Sequence, residues 1–524
     1  MTPPATALPL PVRAGQLSLS GLFDEQVQRH PQRTALQCGA SSWTYHELGG
    51  RVQRLADGLT ARGLQAGDRI AILAENRAEY VELELAVARL GVVLACQNWR
   101  QSDDELAYCI QLVTPSLLVF SAGQAEVVGR IQHGVPQVLN IDTGWTALMD
   151  TPVDTLVPSI TVPASAPDID PECGLVILYT SGTTGLPKGA LISQRAMLAR
   201  SMITRVDSAV QPGDAFIAWA PLFHMVSTDS VYGTLTSGGK VIVMDGLDVP
   251  QLVQITAQEF IGHLTLMPGM VDRVIDELDR TGLTPKGARS IGCMADLVPA
   301  AQIARITTLY RAPFRNSFGS TETGSPPASR GSIAVGVLPQ QLSKAQNSFC
   351  QIKLVDEDDN AVADGQPGEL VFRGPSLFSG YWANDKANAE DFRGGWFHMG
   401  DVFVRNPDGT LDFVDRRKYL IKSGGENIYP AEIERVLLAD PRVLEAVVVR
   451  RPDARWGEVP VVFVASADST MTAADVVAAC AGKIARYKLP KDVVFIGLDD
   501  FPRSTTGKVK RHELEALLPK VGAG

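Results

Sequence analysis

The sequence predicts an α/β protein with a large N-terminal domain of doubly wound sheets plus a β-rich subdomain, followed by a small, mobile α+β C-terminal domain. Three observations support this prediction. The chain has 524 residues, which is too long for one compact core. Its first third alternates helical and strand patterns, as parallel, doubly wound sheets do. From Gln351 onward, short strands with tight turns replace that alternation.

The alternation begins with a helix that Thr44 and Glu47 are expected to open as a capping box. Strands are predicted over Ile70 to Leu73 and over Leu117 to Phe120, with a helix over Tyr80 to Leu90 between them. The apolar face of the first helix is predicted to consist of Leu48, Val52, Leu55 and Leu59.

The second half contains shorter elements. A polar, proline-rich surface connector is predicted over 152–171. The chain is expected to divide into domains 1–417 and 418–524. Strands of the β-rich subdomain are predicted over Ile352 to Val355, Glu369 to Arg373 and Leu411 to Val414. The C-terminal module is predicted to contain helices over Ala431 to Leu438 and Ala473 to Ala485, with strands over Ala446 to Val449 and Val459 to Val464.

Composition excludes several classes of protein. A net charge of −10 argues against a nucleic-acid-binding surface. The N-terminus lacks the basic and apolar pattern of a signal peptide, and the most apolar stretch, Tyr80 to Cys96, carries charges that argue against a membrane span. The seven cysteines are dispersed and odd in number, which favours free thiols in a reducing cytoplasm over disulfides or zinc. We therefore expect a protein of the cytoplasm.

The segment Tyr179 to Gly189, YTSGTTGLPKG, directly follows the apolar run Leu175 to Leu178. Glycines let backbone N–H groups approach oxygens, while hydroxyls and a lysine supply further donors and charge. A flexible linker is the alternative, but a linker would not follow a buried strand and end in Pro-Lys-Gly. A Walker loop needs Gly-Lys-Ser/Thr where this chain has Pro187, Lys188 and Gly189. The segment therefore predicts a polyphosphate site of another type.

Four further segments carry candidate chemistry, and each is weak alone. In Asn316 to Glu322, NSFGSTE, the aromatic ring is suited to stack on a base and the carboxylate to hold Mg²⁺. In Gly395 to Asp401, GWFHMGD, followed by Asp415-Arg416, the carboxylate is suited to bind ribose hydroxyls. A commonplace surface turn and a hairpin corner with a structural salt bridge are the respective alternatives.

The other two segments lie near the C-terminus. Lys418 to Pro430, KYLIKSGGENIYP, joins a predicted hinge to a Gly-Gly loop, which also suits an ordinary turn. Pro502 to Arg511, PRSTTGKVKR, places Lys508 after a Thr-Thr-Gly turn. For Lys510 and Arg511 a solvated basic face is the preferred interpretation.

Together, in this order, the five segments resemble the signatures of the adenylate-forming superfamily, which includes acyl-CoA synthetases, peptide-synthetase adenylation domains and firefly-type luciferases. The chain looks most like the acyl- or aryl-CoA ligases. The family's phosphate pattern, S/T-S-G-S/T-S/T-G-x-P-K-G, is matched from Thr180 to Gly189. Patterns resembling YGxTE, WFxTGD, GRxKDxIxxxG and PRTxxGK follow in order, so the resemblance covers essentially the whole chain.

The resemblance implies an AMP-forming carboxylate–CoA ligase that uses ATP, Mg²⁺ and coenzyme A. Such enzymes join a carboxylate to ATP, release pyrophosphate and hold the acyl-adenylate for attack by a thiol. The alternatives are an adenylation enzyme that loads a carrier-protein thiol, a luciferase-like oxygenase and a non-catalytic nucleotide binder. The sequence has no fused carrier domain, which favours free CoA, and it retains Lys508, Glu322 and Asp401, which argues against a non-catalytic role.

The resemblance also implies roles for individual residues in the nucleotide site. Glu322 is expected to bind Mg²⁺, Thr321 the α-phosphate, and Asn316 the adenine amine. Phe318 is expected to stack on the adenine, and Gly319 is expected among the cofactor-binding residues. The residues expected to enclose the β- and γ-phosphates are Thr180, Ser181, Gly182, Thr183, Thr184 and Lys188.

The remaining roles fall in the last quarter of the chain. Asp401 is expected to bind both ribose hydroxyls with the help of Arg416. Lys508 resembles the catalytic lysine, because a cation bridging the carboxylate and the α-phosphate lowers the barrier to adenylation. Lys418 matches the hinge about which the small domain is expected to rotate. That rotation would exchange Lys508 for the Gly424-Gly425 loop at the pantetheine tunnel, and Asn427 would contact the nucleotide in the adenylating pose.

Several positions depart from the family pattern. Phe318 and Met399 replace the usual Tyr and Thr, and Asp415 and Tyr419 replace the Gly and the last Asp of GRxKD. The larger departure is the segment Cys293 to Leu297, CMADL, which replaces GGAPL. The bulkier cysteine and methionine predict a shorter or narrower acyl channel.

The acyl pocket is predicted to be apolar and rich in sulfur. His224 stands where amino-acid-activating relatives have Asp, so an ammonium group would be buried unpaired and an amino-acid substrate is disfavoured. His224 is either a gate of the acyl site or a packed core histidine. The expected substrate is a hydrophobic monocarboxylate: a short or medium fatty acid, or an aromatic or alicyclic acid. No partner beyond this acid, ATP and CoA is expected, with a homodimer left open. The predicted lining is His224, Met225, Met267, Cys293, Met294 and Gly324.

Overall fold

The protein divides into two compact units in the computed structural model. The first unit comprises Met1–Gln351 and Arg373–Phe392, and the second comprises Ile352–Phe372 and Arg393–Gly524. The second unit therefore includes the β-rich segments before residue 418, and the expected division into domains 1–417 and 418–524 stays a prediction. The residues that the structure describes are 17–150, 169–180, 186–424, 426–503 and 509–518.

Helices and strands alternate through the first unit, as the sequence predicts. Its helices are α1 (Leu19–Arg29), α2 (Tyr45–Ala61), α3 (Ala78–Leu90), α4 (Asp103–Val113), α5 (Ala125–Arg130), α6 (Ile141–Met149), α7 (Gln194–Ser208), α8 (Met225–Leu235), α9 (Val249–Gln258), α10 (Val271–Thr281), α11 (Ala300–Tyr310) and α12 (Asp385–Asp391). Its strands are β1 (Thr34–Cys38), β2 (Ser41–Thr44), β3 (Arg69–Leu73), β4 (Val93–Cys96), β5 (Leu117–Phe120), β6 (Gln137–Asn140), β7 (Gly174–Thr180), β8 (Lys188–Ser193), β9 (Ala215–Ala218), β10 (Lys240–Val243), β11 (Ile261–Thr265), β12 (Ala288–Cys293), β13 (Phe314–Asn316), β14 (Gly319–Ser320) and β15 (Gly324–Pro327).

Two large sheets organise these strands. One has the order β6-β5-β3-β4-β7-β8, and its pairs are parallel except for the antiparallel edge pair β7–β8. The other has the order β13-β12-β11-β9-β10-β1-β2 and is parallel except for β1–β2. A short antiparallel pair, β14–β15, completes the unit. Mainly parallel sheets with intervening helices confirm the α/β prediction.

Local sequence signals explain the start of this fold. The Thr44 side chain accepts a hydrogen bond from the Glu47 backbone N–H, and the Glu47 carboxylate accepts one from the Thr44 backbone, which confirms the capping box of α2. The predicted apolar face of this helix is fully buried. Most of the predicted connector, residues 151–168, lies outside the described residues.

The second unit contains two mainly antiparallel sheets with short helices. A four-stranded sheet has the order β16-β17-β18-β19, and a five-stranded sheet has the order β21-β20-β23-β22, with β24 parallel to β23. Its strands are β16 (Gln351–Val355), β17 (Pro367–Arg373), β18 (Phe397–Arg405), β19 (Leu411–Arg416), β20 (Ile421–Ser423), β21 (Glu426–Ile428), β22 (Val443–Asp453), β23 (Gly457–Ser466) and β24 (Asp492–Phe495). Its helices are α13 (Pro430–Leu438), α14 (Ala473–Cys480) and α15 (Arg511–Leu517).

One predicted boundary is wrong in this unit. The helix expected over Ala473 to Ala485 ends at Cys480, because Ala481 adopts an extended conformation and Gly482 has a φ of 78°. A residue in the left-handed region cannot continue a right-handed helix. The other predicted elements of the unit are present within a few residues of their expected ends.

Two further expectations concern membrane-spanning segments and the redox state of the cysteines. Among the described residues, no helix is both long enough and apolar enough to span a membrane. All seven cysteines are free thiols.

Candidate active site

The phosphate segment forms a β-hairpin. Thr180, the last residue of β7, lies directly opposite Lys188, the first residue of β8, in the antiparallel register. Since a P-loop runs from a strand into a helix, a segment that leads instead into the antiparallel strand β8 agrees with the exclusion of a Walker loop. The predicted phosphate ligands Ser181, Gly182, Thr183 and Thr184 lie outside the described residues.

Lys188 lies among groups that the sequence did not indicate. Its ammonium nitrogen is 3.3 Å from a carboxylate oxygen of Asp391 and 4.4 Å from the centre of the Tyr381 ring. Both contacts are favourable to a cation. Burial raises the pKa of Asp391, although the neighbouring Lys188 ammonium opposes that shift.

Tyr381 contacts both Glu322 and Lys188. The Tyr381 hydroxyl donates a hydrogen bond of 2.9 Å to Oε1 of Glu322, and no described residue donates to Oε2. A half-buried carboxylate with one oxygen left for a ligand is a suitable donor for Mg²⁺, which usually takes one or two carboxylates plus substrate phosphates. The described residues contain no cluster of three or more His, Cys, Asp or Glu side chains that could hold a metal ion.

The turn between β14 and β15 is tightly packed. A Cβ atom on Gly319 would lie 2.1 Å from the carbonyl oxygen of Gly324, so only glycine fits there. The Thr321 carbonyl accepts a 2.9 Å hydrogen bond from Arg200, and Gly324 packs against the aliphatic part of the same side chain. Gly324 therefore faces Arg200, and its predicted place in the acyl pocket stays a prediction.

Arg200 is an almost fully buried cation on α7. It donates to the carbonyl of Ser376 at 3.1 Å and to the Asp229 carboxylate at 3.2 and 3.3 Å. Because Asp229 belongs to α8, this one guanidinium joins the turn carrying Thr321 to the helix that begins after His224. Burial raises the pKa of Asp229, and Arg200 opposes that shift.

The two residues predicted at the adenine are both buried. The Asn316 side chain accepts a 2.8 Å hydrogen bond from the Ala295 backbone N–H and donates to the Leu342 carbonyl. Phe318 is anchored by a 2.9 Å bond from its backbone N–H to the Ser329 hydroxyl. The Asn316 amide thus connects the backbones of Ala295 and Leu342. Its contact with the adenine stays a prediction.

The sheet topology brings most of the predicted acyl-pocket residues to one edge. Strands β9, β11, β12 and β13 are neighbours and run parallel, so their carboxyl ends lie together. In open α/β sheets, ligands bind outside the carboxyl ends of the strands. The residues that follow those ends include His224 after β9, Met267 after β11, Met294 after β12 and Phe318 after β13.

The residues at this edge of the sheet include more polar groups than the sulfur-rich pocket lining that the sequence predicts. Cys293 is buried, whereas Met267 and Met294 have exposed fractions of 45% and 40%. Next to them, both carboxylate oxygens of Asp296 lie 2.7 Å from the ammonium of Lys344, which is fully buried. The predicted lining of the acyl pocket stays a prediction, and the Asp296–Lys344 ion pair is a polar feature that the sequence did not indicate.

His224 has a structural role as well as its predicted one. Its half-buried ring accepts a 3.3 Å hydrogen bond from the Val226 backbone N–H and so caps α8. The half-buried Met225 is the first residue of that helix. A gating role for His224 stays a prediction.

In the second unit, Asp401 and Arg416 lie opposite each other on β18 and β19. The Arg416 guanidinium is 2.7 Å from the Asp401 carboxylate, which is only 1% exposed. Their pairing fits the expectation that both serve one ligand group. A structural ion pair is the alternative that the sequence also allowed.

The predicted hinge residue, the exposed Lys418, lies beside the half-buried residues Tyr419 and Arg511. The Lys418 ammonium lies 4.9 Å from the centre of the Tyr419 ring, and the Arg511 guanidinium lies 4.8 Å from the same centre. Arg511 pairs with Glu434, which corrects the expectation that it lies on a solvated face. Asp415 accepts a 2.7 Å hydrogen bond from the Ala431 backbone N–H at the start of α13.

The segment predicted to form the thioester is described in part. Gly424 has a φ of 60° and its backbone N–H donates to the Trp456 carbonyl at 2.7 Å. Asn427 is exposed on β21, opposite Lys422. Gly425 and Lys508 lie outside the described residues, and their roles stay predictions.

Sequence reasoning missed four residues of this arrangement: Tyr381, Asp391, Arg200 and Lys344. The run Gly380-Tyr381-Trp382, a glycine followed by two aromatic residues before a helix, is the only local signal for any of them. The other three read as ordinary charged residues, because their partners are distant in sequence.

Comparisons with known proteins show the family of this chain. A family model described as AMP-binding enzyme matches residues 23–382, and one described as AMP-binding enzyme C-terminal domain matches residues 432–508. An indoleacetate–CoA ligase of Aromatoleum aromaticum is 32% identical over 521 residues, which cover 96% of this chain and 99% of the relative. A feruloyl-CoA synthase of an Amycolatopsis species is 32% identical over 496 residues, covering 93% and 96%.

A solved structure is also similar over nearly its whole length. The o-succinylbenzoate CoA synthetase of Bacillus subtilis, in complex with its acyl-adenylate intermediate, has a TM-score of 0.80 at 25% identity, covering 94% of this chain and 97% of that one. The same synthetase in complex with ATP and a magnesium ion has a TM-score of 0.78 at 25% identity, covering 94% and 99%.

Proposed function

Because the chain belongs to the AMP-binding enzyme family, we propose that it is an AMP-forming carboxylate–CoA ligase that acts on a hydrophobic, aromatic monocarboxylic acid. The observation that carries this proposal is the arrangement around the phosphate hairpin. Lys188 lies opposite Thr180 in the pairing of β7 and β8. The Tyr381 ring contacts the Lys188 ammonium, and the Tyr381 hydroxyl donates a hydrogen bond to Glu322. One unit thus presents a cation for phosphates beside a carboxylate for a metal ion.

In the first half-reaction, a carboxylate oxygen of the acid forms a bond to the α-phosphorus of ATP, and the bond to the bridging oxygen breaks to release pyrophosphate. Lys188 and the hydroxyl-rich loop bind the departing phosphates, and Glu322 is the ligand for Mg²⁺. The bound ion would neutralise phosphate charge. Lys508 bridges the attacking carboxylate and the α-phosphate, so that two anions approach each other without a large electrostatic penalty.

In the second half-reaction, the CoA thiol loses its proton and its sulfur bonds to the acyl carbon, while the bond from that carbon to AMP breaks. We assign Lys418 as the hinge residue and the Gly424-Gly425 segment as part of the path for the pantetheine arm. The exposure of Lys418 and the left-handed backbone of Gly424 support this assignment. A rigid-body rotation about a few residues is a known type of domain motion.

The aromatic substrate class is supported by the named acids of the relatives. Indoleacetate, ferulate and o-succinylbenzoate each contain an aromatic ring. In this chain, Cys293 and Met294 stand where the family pattern has glycines, which favours a flat ring over a long alkyl chain. A panel of short, medium and long fatty acids and of aryl acids, assayed by pyrophosphate release, tests this assignment. Aryl acids should give the highest kcat/KM, and a preference for long-chain acids would contradict it.

The reaction itself is tested with and without CoA. Enzyme, ATP, Mg²⁺ and an accepted acid should produce AMP and acyl-CoA in equal amounts by mass spectrometry when CoA is present. Acyl-adenylate that accumulates with CoA but transfers to a carrier protein would identify a loading enzyme. An oxidised product that forms without any thiol would identify a luciferase-like oxygenase.

A single substitution separates the two half-reactions. Lys508→Ala should abolish pyrophosphate release from ATP and acid, while acyl-CoA formation from a supplied acyl-adenylate should persist. Arg503→Ala, a substitution in the same terminal segment, is the control and should retain both activities. Equal loss of both half-reactions in Lys508→Ala would contradict the proposed exchange of Lys508 and the Gly424-Gly425 loop.

A reducing compartment such as the cytoplasm is part of this proposal, because all seven cysteines are free thiols. Assembly as a homodimer stays a prediction, and sedimentation of the purified enzyme is the measurement that decides it.

A further inference from the structure

We propose that Tyr381 is a positioning residue that fixes the magnesium ligand Glu322 with its hydroxyl and the phosphate lysine Lys188 with its ring. The inference rests on the proposed function, since it assigns Mg²⁺ and phosphates to those two residues. It adds a residue outside every segment on which the family resemblance was based. Tyr381 is 7% exposed, so its side chain is held in place by the protein.

Main-chain hydrogen bonds set the position of Tyr381 relative to the phosphate hairpin. The Ser379 backbone N–H donates a hydrogen bond of 2.7 Å to the Leu191 carbonyl. The Leu191 backbone N–H in turn donates one of 3.0 Å to the Gly380 carbonyl. The Trp382 N–H donates to Gly189 at 2.7 Å. This short antiparallel ladder pairs Tyr381 with Ala190 of β8, so its register against Lys188 does not depend on side-chain packing.

The same segment is tied to Glu322 and to α12. The Phe378 backbone N–H donates a 2.8 Å hydrogen bond to the Glu322 carbonyl. The Asn388 side chain accepts from the Tyr381 N–H at 2.7 Å and donates to the Tyr381 carbonyl at 2.9 Å. Gly380 has a φ of 114°, and a Cβ there would lie 3.1 Å from the Asn388 amide oxygen, so this close approach requires glycine.

The two functional contacts use different parts of the side chain. The hydroxyl donates to Oε1 of Glu322 at 2.9 Å, which orients the carboxylate and leaves Oε2 for a metal ion. The face of the ring lies 4.4 Å from the Lys188 ammonium, where its negative quadrupole attracts the cation. Because a partner that orients a metal ligand contributes to metal affinity, loss of the hydroxyl alone should weaken metal binding.

This difference allows a sharp experiment. In Tyr381→Phe the ring stays and the hydroxyl is lost, whereas Tyr381→Leu loses both. Mn²⁺ binding is titrated by electron paramagnetic resonance in the presence of α,β-methylene-ATP, an analogue that cannot release pyrophosphate. The matched control is Tyr310→Phe, because Tyr310 is also buried and has a single hydroxyl contact, 3.1 Å from Thr256.

Tyr381→Phe should weaken Mn²⁺ binding about tenfold, the usual effect of removing a residue that orients a metal ligand. Its affinity for the analogue without metal should stay close to that of the unmodified enzyme, because Lys188 keeps its ring partner. Tyr381→Leu should lose affinity for the analogue as well. Tyr310→Phe should change neither quantity.

Two results would overturn the inference. One is a Tyr381→Phe variant with unchanged Mn²⁺ affinity. The other is a parallel loss of metal binding, nucleotide binding and thermal stability in that variant, because this pattern indicates general structural damage. If the unmodified enzyme binds no Mn²⁺ with the analogue, the proposed function itself fails, so the two failures are distinguishable.

Discussion

The ammonium of Lys188 and the carboxylate of Asp391 form an ion pair at 3.3 Å, so the phosphate-loop lysine already has an anionic partner within its own unit. Their side chains are 18% and 26% exposed, which places the pair between a surface contact and a buried one. Under the proposed function, phosphates that bind Lys188 would compete with this carboxylate. Asp391 is therefore expected to set how readily the lysine binds a ligand.

Asp391→Asn should lower the KM for ATP about two- to fivefold, because it removes a competing contact worth about 0.5–1 kcal/mol. The kcat should change little, since Lys188 is not the cation proposed to bridge the reacting groups. Steady-state pyrophosphate release against ATP concentration measures both constants. Asp385→Asn makes the same charge change at an exposed position of α12 and should leave the KM unaltered. A higher KM for Asp391→Asn would show that the carboxylate orients the lysine instead.

Gly319→Ala should reduce the rate of adenylation about 100-fold, because a Cβ 2.1 Å from the Gly324 carbonyl must displace the turn that carries Thr321 and Glu322. Pyrophosphate release under saturating substrate measures the effect. Gly129→Ala is the matched control. Gly129 lies exposed in α5 with no atom near the added methyl, so this change should preserve activity and stabilise the protein by about 0.5–1 kcal/mol. Full activity in Gly319→Ala would mean that the turn tolerates displacement.

Arg200→Met should destabilise the protein by about 3–5 kcal/mol, because it leaves the buried Asp229 carboxylate without its cation. Adding Asp229→Leu should recover part of that loss, since the double variant no longer buries a lone charge. Urea unfolding of the two single variants and of the double variant gives the unfolding free energies for a double-mutant cycle. Arg205→Met, on the same helix, should have little effect. Strictly additive losses in the double variant would show that Arg200 acts through the Thr321 and Ser376 carbonyls alone.

Glu84 makes the stability of the protein depend on pH. Its side chain on α3 is fully buried, and its carboxylate oxygens accept no hydrogen bond from the described residues. Burial, with a smaller contribution from Asp229, raises its pKa well above the ordinary value of 4.5. The folded protein keeps this proton where the unfolded chain has lost it, so the free energy of unfolding falls as the pH rises from about 4.5 through the raised pKa.

Glu84→Gln should flatten that dependence, because an amide cannot lose the proton. Between pH 5 and 8 the unmodified protein should lose up to about 1.4 kcal/mol per pH unit more than the variant, until Glu84 ionises. Melting temperatures measured across this range test the prediction, with the exposed Glu126→Gln as control. Parallel pH profiles for Glu84→Gln and the unmodified protein would mean that the folded state ionises Glu84 without penalty.

Local patterns account for what could be predicted from the sequence. The capping box of Thr44 and Glu47 and the spacing of Leu48 and Val52 act within one or two helical turns, so the printed order of residues is sufficient to find them. The segment Tyr179 to Gly189 was likewise singled out as a contiguous run, although its pairing of two antiparallel strands was not predicted. In each case the partners are near neighbours in the chain.

The unpredicted part of the site consists of contacts across long stretches of chain. Lys188 and Asp391 are separated by 203 positions, and Glu322 and Tyr381 by 59. Nothing in the neighbourhood of Asp391 distinguishes it from the other acidic residues of a surface helix. Arg200 appears from sequence as one charge on an amphipathic helix, and only the packing of three segments around it shows that it is buried.

The hairpin formed by β7 and β8 has a consequence for how the protein recognises charge. In phosphate loops that lead into a helix, the positive end of the helix dipole is a permanent part of the backbone. Here the chain returns as a strand, and strands have only a small net dipole. Under the proposed function, the attraction for polyphosphate therefore includes no helix dipole from β8, and side chains such as Lys188 carry a larger share of it. A site of this kind can be weakened or retuned one residue at a time without altering the fold that carries it.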